Sequence, residues 1–112
     1  MVNDMAQEEI VTVIGSSGQK YEFAVFRWGQ AFNPVGGVYL VLRKRIGIIS
    51  THDILYIGQT GDLSERFDDH HKQGCFDRNA RTHIGVRVEN LEAARLAIER
   101  DRLGNYKTAC NF

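Results

Sequence analysis

Two short apolar segments, Gly37-Val38-Tyr39 and Tyr56-Ile57-Gly58, constrain this chain more than any other feature. Each sets a tyrosine two residues from a glycine within a β-rich run. Gly37 to Arg43 is almost continuously apolar, which suits a strand at the centre of a sheet better than one at its edge. Lys44 to Asp53 reads as a basic, glycine-containing connection, and Ile54 to Gln59 returns as a second strand. This order predicts that Tyr39 and Tyr56 lie on neighbouring antiparallel strands.

The remaining elements follow from turn and periodicity signals. Residues 1–9 read as a polar disordered tail. Ile10 to Ile14 is β-branched, Gly15-Ser16-Ser17-Gly18 is turn chemistry, and Tyr21 to Phe26 alternates, so residues 10–35 form a hairpin extension anchored by Trp28 and Phe32. Asn33-Pro34 breaks the chain before a main domain spanning 36–112. Thr60-Gly61 ends the second strand. Asp62, with Glu65 three residues on, resembles a capping box opening a helix on which Leu63, Arg66, Phe67 and His70 recur at helical spacing. Gln73 to Thr82 reads as a polar loop, and His83 to Val88 as a third strand. Asn90 is an expected N-cap for a helix from Leu91 to about Leu103, with Gly104 as its stop and a short tail packing back. The expected fold class is α+β: a small central antiparallel β-sheet of three core strands plus the N-terminal hairpin, flanked by helices.

Composition limits the function classes. A chain of 112 residues, 43% hydrophobic and 25% charged, suits one soluble core. No apolar run approaches the roughly 20 residues that span a bilayer, so no membrane contact is expected. The acidic start lacks a secretory signal, which predicts a cytoplasmic protein. Cys75 and Cys110 form no metal-ligand spacing and are expected to be reduced. Net charge is zero, but residues 1–35 hold two basic side chains (Lys20, Arg27) and four acidic ones (Asp4, Glu8, Glu9, Glu22), leaving 12 basic against 10 acidic in 36–112. A nucleic-acid site would therefore be a local patch, with Arg43, Lys44, Arg45, Lys72, Arg78 and Arg81 as its candidates. Asp68, Asp69, His70 and His71 suggest a zinc site only weakly, because adjacent helical residues point to different sides.

Together, Gly37-Val38-Tyr39, Tyr56-Ile57-Gly58, the run Gln59 to Phe67 with its arginine, His70, Glu99 and Asn111 resemble the GIY-YIG nuclease family across about Gly36 to Phe112. Val38 replaces an isoleucine of the first signature. Gln59 stands where some members carry a lysine, and a proline common before the final asparagine is absent. The resemblance implies a metal-dependent endonuclease that hydrolyses DNA phosphodiester bonds. In it Tyr39 acts as general base, Tyr56 orients water or phosphate, Arg66 clamps the scissile phosphate, His70 relays the proton, Glu99 binds one Mg²⁺ or Mn²⁺ and Asn111 completes the site. Gln59 joins the basic residues as a substrate-binding candidate.

Each residue alone also has a plain role. Tyr39 and Tyr56 suit sheet packing, Arg66 and His70 a solvated helix face, Glu99 a surface ion pair, and Asn111 a turn. The alternative to an enzyme is a catalytically inactive module that binds nucleic acid or protein. A chain this short leaves DNA selection to its loops, a homodimer or a targeting partner protein.

Overall fold

The structure is a computed structural model and describes residues 7–49, 51–65, 67, 70–105 and 108–111. Five antiparallel strands, β1 (Gln7–Ile14), β2 (Lys20–Arg27), β3 (Gly37–Arg45), β4 (Thr51–Thr60) and β5 (His83–Val88), form a single sheet in the order β1-β2-β5-β3-β4. Two helices complete the α+β fold: α1 (Gln73–Arg78) and α2 (Glu92–Asn105).

β3 takes a central position because both of its faces are apolar. Val38, Leu40 and Leu42 point to one side and are fully buried with Val13, Phe23, Val25, Ile57 and Ile98 of α2. Tyr39 and Val41 point to the other, against Leu55, Leu63, Phe76, Ile84 and the Cys75 and Cys110 sulfurs. A strand buried on both faces needs backbone partners on both edges, and β4 and β5 supply them. The N-terminal hairpin continues the sheet through β2, which pairs with β5. Trp28 and Phe32 do anchor it: Phe32 packs edge-on to Phe26 and Trp28 to Phe76. The hairpin turn is also tied to α2. Asp101 accepts hydrogen bonds from the Ser17 backbone at 2.8 Å, the Ser17 hydroxyl at 2.7 Å and the Tyr21 hydroxyl at 2.6 Å. These donors, Tyr21 foremost, hold its carboxyl below the usual carboxylate range.

Several sequence expectations are corrected. The β3 and β4 strands extend to Arg45 and from Thr51, so the expected 44–53 connection shrinks to a tight tip. In 62–70 the described residues form turns and a single 3₁₀ position at Phe67 rather than a helix. Asp62 accepts from the Ser64 backbone at 2.8 Å and from the Ser64 hydroxyl, which closes a local turn and leaves Glu65 without a capping role. The expected 73–82 loop contains α1, whose polar sequence hides two buried positions, Cys75 and Phe76. Asn90 does not cap α2; its side-chain oxygen accepts from the Gly36 backbone at 3.2 Å. Gly104 lies within α2 rather than ending it.

The cysteines are also corrected. Cys75 and Cys110 form a disulfide with their Cα atoms 5.8 Å apart. Chain folding creates this pair: the C-terminal tail returns along β4, where the Cys110 N–H donates to the Leu55 carbonyl at 2.8 Å, beside α1. A tail packing back is expected from the sequence, but the 35-residue spacing carried no sign that it would bring Cys110 to Cys75. Replacing both cysteines with serine is expected to lower unfolding free energy by about 3 kcal/mol, by releasing a long loop in the unfolded state. Chemical denaturation checks this, and the native chain under reductant should show a matching loss.

Candidate active site

The site begins with a glycine. Across β3 and β4, Tyr39 pairs with Gly58 and Val41 with Tyr56, so both tyrosine rings lie on one face of the sheet above Gly58. A Cβ at Gly58 would stand 2.6 Å from the Tyr39 hydroxyl and 2.7 Å from the Tyr56 ring. Only the missing side chain lets the two rings stack, with centroids 6.0 Å apart and planes at 29°. The expectation of neighbouring antiparallel strands for these tyrosines therefore holds.

His70 reaches this pair from the segment after β4. Its Nδ1 accepts the Lys72 backbone N–H at 3.0 Å, so in the neutral ring Nε2 carries the proton and donates to the Tyr39 hydroxyl at 2.7 Å. Burial, with neighbouring His71 and Lys72, lowers the His70 pKa to about 4. Burial also raises the Tyr39 pKa far above its ordinary value, reinforced by Tyr56, Glu99 and Glu65. Burial and then Glu99 raise Tyr56 as well.

Tyr39, Tyr56, His70 and Glu99 line one open cleft, which Glu65, Phe67 and His71 complete. α2 delivers Glu99 from the opposite side: Ile98 packs into the core on the other face of the sheet, while Glu99 beside it faces the tyrosines. Burial raises the Glu99 pKa. Among the described residues its carboxylate has no hydrogen bond or ion pair. Such a group suits a hard cation with a mostly water and substrate shell. Among the described residues no three His, Cys, Asp or Glu side chains group to hold a metal, so a divalent ion here would lean on Glu99.

The other expected site residues are distributed differently. Asn111 does not enter the cleft. Its side-chain amide accepts the Ile57 N–H at 2.8 Å and donates to the Ile57 carbonyl at 2.9 Å, which caps the free β4 edge. Arg43 and Arg45 both pair with Asp53, and Lys44 with Glu9, at the far end of the β3–β4 hairpin. Four to six residues of strand separate them from Tyr39, about 13–20 Å. They do not join the cleft. Gln59 lines the cleft, but its side-chain oxygen accepts from Arg95 at 2.9 Å. Arg81 packs over the Trp28 ring at 4.6 Å and pairs with Asp77, while Arg78 is exposed at the end of α1. Lys72 immediately precedes α1. Arg66, Asp68 and Asp69 lie outside the described residues.

Sequence reading missed Glu65, Phe67 and His71 as cleft residues. The sequence reads Glu65 as part of a capping box, and His71 as pointing to a different side of a helix from His70. In the turn that forms instead, the two imidazoles stack at 4.4 Å. It also missed the buried Arg95, which donates to Gln59 and to the Glu89 and Asn90 carbonyls and so ties α2 to the β4 end of the cleft. A basic residue on an otherwise apolar helix stripe was the available signal. No family model, curated protein or solved structure matches the chain.

Two outcomes follow. Gly58→Ala should displace one tyrosine ring and cost about 1–3 kcal/mol, measured by denaturant titration. Folded His70 stays neutral down to about pH 4, whereas an unfolded histidine protonates near 6.5. The unfolded chain therefore binds more protons in that window. Stability from neutral His70 is present above about pH 6.5 and lost as pH falls toward 4. Melting temperature followed against pH should decline less over this interval in His70→Gln.

Proposed function

We propose that the chain is a metal-dependent endonuclease of the GIY-YIG type that hydrolyses phosphodiester bonds in DNA. The observation that carries this reading is the meeting of Tyr39, Tyr56, His70 and Glu99 in one open cleft, with His70 bonded to Tyr39 and Glu99 facing the cleft without a partner among the described residues. Packing alone explains the stacked rings. It does not explain a carboxylate aimed at them from a separate helix.

In the proposed reaction Tyr39 first gives its own proton to solvent; a water oxygen then attacks phosphorus, the water proton passes to the Tyr39 phenolate, and the bond from phosphorus to the leaving oxygen breaks in line, the leaving oxygen taking a proton from solvent. A Mg²⁺ or Mn²⁺ ion on Glu99 would neutralise charge on the phosphoryl and leaving oxygens. His70 donates through Nε2 to the Tyr39 oxygen and so favours its phenolate. Tyr39 is held protonated by burial and nearby negative charge, so its work as a base requires positive charge in the cleft. Arg66, matched to the family's phosphate-binding arginine, would supply part of that charge. Tyr56 offers its half-buried hydroxyl for orienting water or phosphate.

Plasmid and branched DNA incubated with the chain and Mg²⁺ or Mn²⁺ should be cut. Tyr39→Phe, Glu99→Gln and Arg66→Ala should each slow cutting by about 100-fold or more. Equal cutting by all four proteins would reject the mechanism, and tight metal-independent binding without cutting would assign a binding module instead.

A further inference from the structure

A second concavity adjoins the catalytic cleft and shares Glu65 and Phe67 with it. It encloses about 540 Å³, within the range of small-ligand sites and larger than a single base. Three aromatic rings, Trp28, Phe32 and Phe67, stand among its lining residues. Phe67 meets Trp28 at 6.2 Å and Phe32 at 6.2 Å, both edge-to-face. Arg81 lies over the Trp28 ring, and its Nε is buried without a hydrogen-bond partner. Gln30 and Glu65 add an amide and a carboxylate to this aromatic lining.

A gap between packed aromatic side chains would normally close, since protein interiors fill to crystal-like density. Here it stays open to solvent with polar groups on its wall. Flat rings with a few hydrogen-bonding groups are the chemistry that holds an unstacked nucleobase. A base still paired in a duplex presents only its edge and cannot enter. The shared Phe67 ring meets Tyr39 at 4.8 Å, so the concavity neighbours the place where the proposed reaction puts the scissile phosphate.

We propose that this pocket binds one unpaired nucleobase flanking the scissile phosphate, so that the chain selects DNA with an extrahelical or single-stranded nucleotide next to the cut. This rests on the nuclease reading above. The ring of Trp28 forms one wall, Phe32 and Phe67 another, and Gln30 or Glu65 meets the edge of the base.

Trp28 is the only tryptophan in the chain, so its emission reports directly on the pocket. The full chain is titrated, with Ca²⁺ in place of Mg²⁺, with a duplex carrying one bulged adenine and with the same duplex fully paired. The bulged duplex should quench Trp28 and bind about tenfold more tightly, the scale expected for one base stacked on aromatic rings. Phe32→Leu should erase that preference while still binding the paired duplex. Because Phe32 also packs on Phe26, Ala31→Leu, an exposed pocket-lining change, serves as a second variant with the same expected result. Equal binding of both duplexes with no quenching, or a preference that survives both substitutions, overturns the pocket and leaves the nuclease reading standing. Binding of neither duplex overturns both.

Discussion

Everything in this molecule depends on β3 being buried on both faces. A strand with apolar side chains above and below must have its backbone groups satisfied by strands on either edge, because water cannot reach them. β5 and β4 fill those places, and the hairpin joins through β5. The same burial brings Tyr39 into a dry setting and orients its ring over Gly58.

The free edge of β4 is the opposite case, and the chain protects it. Asn111 pairs its amide with both backbone groups of Ile57, and Cys110 donates to Leu55. Together they act as a short substitute for a sixth strand, which blunts an edge that would otherwise invite pairing with another chain. The disulfide to Cys75 fastens that tail to α1, beneath Phe76 and the Tyr56 ring. The tyrosine cleft and the disulfide thus share one face of the sheet, joined by the contact between the Tyr56 and Phe76 rings.

Charge is distributed in a way that local composition does not reveal. Arg43, Lys44 and Arg45 look like a phosphate-binding cluster in sequence, yet Asp53 and Glu9 pair with them in the fold. Glu99 is the reverse. It resembles one more surface carboxylate of a charged helix, but α2 carries it to the buried Tyr39 and the half-buried Tyr56 and leaves it without a cation among the described residues. Sequence counts cannot separate these outcomes, because pairing depends on which strands and helices are neighbours.

By itself the sequence determined the period-two strands, the α2 helix, the neighbouring positions of Tyr39 and Tyr56, and the hairpin anchored by Trp28 and Phe32. Those features rest on local side-chain patterns and short-range turn chemistry, which a linear chain displays directly. Only the tertiary structure decided that Asp62 closes a turn instead of a helix, that His70 and His71 stack, that Cys75 meets Cys110, and that Asn111 protects an edge. Each of these depends on a partner distant in sequence or on competition between local hydrogen bonds. Gly58 spans the two levels. Its place in a Tyr-Ile-Gly strand was legible from the start, but the reason no side chain fits there appeared only when two aromatic rings were seen to occupy the space.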